Sequence, residues 1–260
     1  MFFKRESKAL FLVHGFTDNV EYNFKNFISY VESHSKIDCV AYDLHGHSKE
    51  ENIEDFDHKK CIEEIEEKYQ QTKEKYDKIY LLGFSMGGVI ASHLASKFGC
   101  DKLVLLAPAF KYIESSGLAE NLFDIIQTDI KRSSFKDIFL FNEKSSIEKY
   151  VKQKYKNEKV VFSKYFTGDI STSLKPYINF VMLVDKLDKN LDFIDVPTRV
   201  YIGEKDELVP VKSALYVYKK IVAKDKMLKV LPHVYHELLE SSLKEDLSKE
   251  ILKFIKKRED

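Results

Sequence analysis

The sequence predicts an α/β domain with a mostly parallel central sheet and helices on both faces. Apolar, strand-like runs alternate with helix-like ones along most of the chain, the pattern of repeated strand–helix units. One such unit turns from strand to helix through Gly83-Phe84-Ser85-Met86-Gly87. The alternation is interrupted once, between Leu106-Ala107-Pro108 and Val196-Pro197, a connection much longer than the single helix that normally joins parallel strands. The 260 residues therefore divide into a core of residues 1–108 and 196–260 and an inserted subdomain of residues 109–195.

Taken in order, strands are expected at Ala9–Val13, Asp38–Tyr42, Lys78–Leu82, Lys102–Leu106, Thr198–Ile202 and Met227–Leu231, each a short apolar or alternating run. Helices are expected at Tyr22–Ser33, Asp57–Tyr76, Met86–Phe98, Lys212–Ile221 and Leu239–Lys257. The dense Glu and Lys content of Asp57–Tyr76 is read as a solvated outer face. Within the insertion, Asn121–Gln127 and Phe135–Phe141 are apolar-rich, Ser145–Lys156 has helical polarity, and Lys175–Val184 reads as a helix returning to the sheet.

Lys plus Arg and Asp plus Glu each number 42, so no global field draws the chain to nucleic acid or to an anionic membrane. No apolar run approaches the ~20 residues of a membrane span, and Met1 to Ser7 becomes charged too early for a signal peptide. Cys39, Cys61 and Cys100 are isolated and odd in number, which reads as reduced thiols in a cytoplasmic protein. His45 and His47 form an H-x-H pair without cysteine or carboxylate ligands at zinc-like spacing; neither a metal nor any other cofactor is assigned.

The chemistry-bearing feature is the G-x-S-x-G turn around Ser85. A turn this tight needs room for a strained backbone, which the flanking glycines are expected to give. It projects the serine hydroxyl at the N-terminus of a helix, whose dipole favours developing negative charge. A serine nucleophile needs a histidine to take its proton and a carboxylate to orient the imidazole. On a strand–turn–helix scaffold these follow as acid, then histidine. Asp206 lies just past the strand Thr198–Ile202, with Glu204 and Glu207 as competitors. His233 and His236 both lie in the loop after Met227–Leu231. His14, which precedes a glycine, is read as a structural histidine bonding neighbouring backbone.

Five stretches together resemble the α/β-hydrolase superfamily, in its carboxylesterase and monoacylglycerol-lipase type. They are Leu12-Val13-His14-Gly15-Phe16, Asp43-Leu44-His45-Gly46-His47-Ser48, Gly83 to Gly88, Gly203-Glu204-Lys205-Asp206 with Val209-Pro210, and Tyr235-His236-Glu237. The second departs from the usual D-x-x-G-H-G-x-S by having Ser48 where a glycine is common, in a loop that shapes the scaffold without doing chemistry. Carried over by position, the resemblance implies Ser85 as nucleophile, Asp206 as orienting acid and His236 as general base. It also implies an oxyanion hole from the backbone N–H groups of Phe16 and Met86. The insertion would be a cap that sets acyl selectivity, and the antiparallel hairpin that opens fuller versions of the fold would be cut back to at most one short strand before Ala9.

The implied activity is hydrolysis of carboxylic esters, either simple acyl esters or monoacylglycerols, through an acyl-enzyme, with a small-molecule ester as the partner. A thioesterase or amidase using the same triad is the alternative, and a non-catalytic receptor on a hydrolase fold is the alternative from another class. A peptidase is disfavoured because no amine-binding carboxylate cluster stands out. An aspartate-nucleophile hydrolase is disfavoured by Ser85 itself. Natural substrate, acyl length and oligomeric state are not read from the sequence.

Overall fold

A computed structural model describes residues 6–111 and 175–257. The chain divides into two compact units, residues 1–113 with 175–260 and residues 114–174; the described residues all belong to the first. The expectations for Asn121–Gln127, Phe135–Phe141 and Ser145–Lys156, and for a strand before residue 6, lie outside the described residues.

Six strands and six helices of the described residues alternate, with one gap in the description between β4 and α4. They are β1 (Lys8–Val13), α1 (Val20–His34), β2 (Asp38–Ala41), α2 (His58–Lys75), β3 (Lys78–Phe84), α3 (Met86–Phe98) and β4 (Lys102–Leu106). The order continues with α4 (Lys175–Leu187), β5 (Thr198–Gly203), α5 (Val211–Lys220), β6 (Lys226–Leu231) and α6 (Lys244–Lys256). The strands form one sheet in the order β2-β1-β3-β4-β5-β6, and every neighbouring pair is parallel.

The central strands carry near-continuous apolar sequence because both of their faces are covered. Ala9 to Val13 in β1 and Leu103 to Leu106 in β4 are wholly buried. α3 is buried from Met86 to Ala95, so its sequence is apolar on nearly every side. α2 instead buries only one stripe, Cys61, Ile62, Ile65, Tyr69 and Thr72, and turns its Glu and Lys residues outward. Five of the six described helices fall into two contacting groups, α1 with α6 and α2 with α3 and α4. This follows from the reversal of strand order between β1 and β3, which sends right-handed crossovers to opposite faces.

Local chemistry sets the ends. The Asn19 side chain caps α1 by accepting from Tyr22 N–H, and Asp57 caps α2 by accepting from Lys59 and Lys60 N–H. The expected single helix over Leu239–Lys257 is interrupted. A 3-10 turn at Leu238–Glu240 precedes α6, and Ser241 between them is extended. The Ser241 hydroxyl donates to the Leu238 carbonyl and accepts from Leu243 N–H, giving the backbone a local alternative to helix. At the other end of α6, buried Lys102 donates to the Phe254 and Ile255 carbonyls, satisfying acceptors that a helix terminus leaves open.

The reversal places the carboxyl ends of β1 and β3 side by side, with Val13 in register with Gly83. A crevice at such a switch point is where parallel sheets present their functional loops.

Candidate active site

Ser85 connects β3 directly to α3. It adopts φ 54 and ψ −118, a conformation that costs a non-glycine residue of order 1–3 kcal/mol. Backbone bonds to the next strand hold it there: Ser85 N–H donates to the Leu106 carbonyl, while its own carbonyl accepts from Gly88 and Ala109 N–H. The flanking glycines give the room that the sequence suggested, without being strained themselves. Neither lies in the left-handed region; the strain sits on Ser85 itself. They are needed because the chains approach so closely. A Cβ on Gly83 would stand 2.2 Å from the Gly87 carbonyl oxygen, and one on Gly87 would stand 2.1 Å from that of Val13.

The Ser85 hydroxyl makes no capping bond to α3 and faces His236 instead, with Oγ 3.1 Å from Nε2. His236 Nδ1 lies 2.8 Å from Asp206 Oδ2. The Asp206 side chain is fully buried, and its Oδ1 accepts from Leu208 and Val209 N–H. Oδ2 is therefore the oxygen left for the imidazole, and a proton on Nδ1 leaves Nε2 able to accept from the serine. The Phe84 ring packs 4.9 Å from the His236 ring.

The competitors lie elsewhere. The His233 side chain is 80% exposed, and its residue turns the chain at φ 60 with its N–H donating to Glu204 Oε2. Glu204 thus shapes the turn, and Glu207 is exposed.

The loop after β1 carries the other expected group. His14 is fully buried, with Nδ1 2.7 Å from the Gly15 carbonyl oxygen and Nε2 accepting from Leu44 N–H. Burial, reinforced by neighbouring His47, pushes its pKa down to about 3, so it stays neutral. The Asn23 side chain in α1 accepts from Gly15 N–H. Phe16 follows, at the carboxyl end of the strand beside β3. Met86 is the first residue of α3, where a backbone N–H has no partner within the helix.

His45 and His47 are not brought together as ligands. His47 Nδ1 faces the His45 carbonyl, and its ring packs against Phe16 and Phe56. Among the described residues no group of three or more His, Cys, Asp or Glu side chains is placed to hold a metal.

A family profile described as Serine aminopeptidase, S33 matches residues 4–242. The chain belongs to that family. Its architecture is the α/β-hydrolase fold. It is similar to a monoacylglycerol lipase from Paleococcus ferrophilus at 16% identity, covering 96% of this chain and 95% of that one with a TM-score of 0.67. It is also similar to an esterase from Exiguobacterium antarcticum at 20% identity, covering 97% and 94% with a TM-score of 0.65. A soluble variant of the Saccharomyces cerevisiae monoglyceride lipase aligns at 14% identity over 96% and 86%, with a TM-score of 0.68. No curated protein matches the sequence significantly.

In this family member, two polar residues beside the Ser85, His236 and Asp206 cluster, Asp18 and Asn23, were not legible in the sequence. Asn23 also donates through Nδ2 to Asp18, so Asp18, Asn23 and Gly15 form one network. Burial raises the Asp18 carboxyl pKa, although the Asn23 bond and the field of His236 oppose it. Burial likewise pushes Glu237 up to about 7. Asp18 and Glu237 repel one another and both interact with His236. Glu237 belongs to the matched Tyr-His-Glu stretch. Asn23 carried no signal, because its role depends on how α1 docks onto β1.

Proposed function

We propose that the chain is a serine hydrolase of carboxylic esters, acting through Ser85, His236 and Asp206. The observation that carries the reading is the unbroken line of contacts from Asp206 Oδ2 to His236 Nδ1, and from His236 Nε2 to Ser85 Oγ.

In this reading Ser85 Oγ attacks the ester carbonyl carbon as His236 Nε2 takes the hydroxyl proton. The carbonyl electron pair moves to oxygen, where the Phe16 and Met86 N–H groups stabilise the oxyanion; losing one such donor typically slows an enzyme about a hundred- to a thousandfold. Collapse of the intermediate breaks the bond to the alkoxy oxygen, which leaves as alcohol with the proton from His236. Water, deprotonated by the same imidazole, then attacks the acyl carbon; the bond to Ser85 Oγ breaks, the imidazolium returns its proton to Oγ, and the acid leaves. Asp206 keeps the imidazole in one tautomer and orientation throughout.

Monoacylglycerols and simple acyl esters are the proposed substrates, in keeping with the lipase and esterase among the structural neighbours. The insertion, residues 109–195, is proposed as the cap that sets acyl-length preference. A Phe139→Ala substitution is then expected to change the ratio of long- to short-chain turnover by about ten- to two-hundredfold. The three free cysteines support a reducing, cytoplasmic setting. Among the described residues no helix is long and apolar enough to cross a membrane.

A second reading, cleavage of an amide beside a free amino terminus, draws on the family description and on the Asp18–Glu237 pair. Burial raises both carboxyls, Glu237 to about 7, which weakens the pair as a counter-ion for an ammonium, and ester hydrolysis is favoured. The two are separated by comparing p-nitrophenyl acetate and butyrate with aminoacyl p-nitroanilides. Labelling by a fluorophosphonate is expected at Ser85 alone; labelling at another residue, or none, overturns the assignment.

A further inference from the structure

The peptide that leads into Phe16 is anchored on its Gly15 side, where the N–H donates to Asn23 Oδ1 and the carbonyl oxygen lies 2.7 Å from His14 Nδ1. Thr17 follows Phe16 in the left-handed region at φ 64. The Phe16 ring holds the other side of that peptide by lying in an aromatic seat. His47 lies 5.7 Å away, Phe56 5.5 Å and Phe180 5.1 Å, centroid to centroid. Among the described residues Phe180 alone stacks on the ring, with 22° between the planes, an arrangement that adds to the burial energy of both.

Phe180 does not come from the Phe16 loop or from either neighbouring strand. It belongs to α4, the helix that leads back into the described unit, and it is 6% exposed. α4 is tied down on the same side. The Asn179 side chain accepts from the backbone N–H of His58 and lies 2.8 Å from its Nδ1, and Lys175 donates to the Glu54 carbonyl. The stacked ring therefore rests on a helix locked to the start of α2.

We infer that Phe180 is a positioning residue: its ring closes the seat that holds Phe16, and through Phe16 it sets where the oxyanion-binding N–H points. This rests on the reading of Phe16 given under Proposed function. Removing the Phe180 ring takes away the stacked partner that Phe16 has among the described residues, so the Phe16 side of a peptide bonded at Gly15 is free to shift. A displacement of about 1 Å at a reacting centre can cost about a hundredfold in rate.

The test is steady-state kinetics on p-nitrophenyl acetate and butyrate, with inhibition by a trifluoromethyl ketone, whose serine adduct places an oxyanion in the same site. Phe180→Ala is expected to lower kcat about ten- to a hundredfold on both esters with KM within about twofold, and to weaken the ketone by the same factor. Phe180→Leu, which refills much of the volume, is expected to recover most of that loss. A loss confined to butyrate would make Phe180 a wall of the acyl pocket and overturn the inference. So would a change in KM alone, or wild-type kcat. If Phe180→Ala does not fold, Phe180→Leu decides alone: a threefold or greater fall in kcat with matching loss of ketone affinity supports the seat, and wild-type values overturn it. A wild-type protein that neither hydrolyses esters nor labels at Ser85 would overturn the parent reading, and this inference with it. Normal wild-type turnover with an unaffected variant overturns this inference alone.

Discussion

The backbone N–H of Leu44 donates to His14 Nε2 at 2.9 Å, and this bond decides where the His14 proton lies. A ring nitrogen that accepts carries no hydrogen, so neutral His14 holds its proton on Nδ1 and donates it to the Gly15 carbonyl 2.7 Å away. The amide plane is rigid, so fixing the Gly15 oxygen also fixes the direction of the Phe16 N–H on its far side. A histidine read from sequence as structural thus orients the peptide that the proposed mechanism uses.

His14 also makes stability depend on acid. Its folded pKa of about 3 lies below the ordinary value near 6.5, so the unfolded chain binds the extra proton and stability falls as pH drops from about 6.5 towards 3. His47, lowered in the same direction by burial, adds to the slope. A His14→Asn variant is expected to lose less stability than wild type between pH 7 and pH 4, by about 1–3 kcal/mol, as read from urea midpoints.

Ser85→Gly is expected to abolish ester turnover without destabilising the fold. Relief of the φ 54 strain at Ser85 is worth about 1–3 kcal/mol, against an entropic cost of about 0.5–1 kcal/mol for glycine. Equal or higher stability than Ser85→Ala in chemical denaturation is the outcome to look for. A clear loss would mean the elbow is not strained.

The two histidines of the last loop are expected to part company. His236→Ala removes the group 3.1 Å from Ser85 Oγ and is expected to cut kcat about a thousandfold or more. His233→Ala, at a side chain 80% exposed, is expected to stay within about threefold of wild type, since surface changes away from special contacts are small. Comparable losses in both variants would reassign the base.

Glu237 tilts stability the other way. Its folded pKa of about 7 lies above the ordinary 4.5, so the folded state holds a proton that the unfolded state has released, and stability falls as pH rises from about 4.5 through 7. Glu237→Gln, which cannot ionise, is expected to gain relative to wild type at pH 8 and to match its pH dependence below about 4.5. Thermal unfolding at pH 4.5, 6 and 8 would show it, and a constant offset at all three would refute the burial argument.

Much of the core was legible because its physics is local. The six expected strands are found within a residue or two, since short apolar runs between turns have few other ways to be buried. Met86–Phe98 matches to the residue, because a glycine-rich start and Gly99 after its end leave little freedom. The break at Ser241 was not legible; it depends on one hydroxyl choosing a local acceptor over the helix. Ser85, Asp206 and His236 were singled out through chain order and resemblance. Asn23, Asp18 and Phe180 were not, because their contacts to residues near Gly15 and Phe16 arise only when α1 and α4 dock.

The order of the sheet gives the site a history during synthesis. Ser85 and His236 are 151 positions apart, and the loop bearing His236 follows β6, an edge strand of the described sheet that is laddered to β5. A ribosome moving from the N-terminus finishes the strained serine turn long before the proposed base exists. Until β6 has zipped onto β5, a nascent chain has a hydroxyl with nothing to draw off its proton. On the proposed mechanism chemical competence therefore comes late in synthesis, and a product arrested before β6 is expected to be inert rather than indiscriminately reactive.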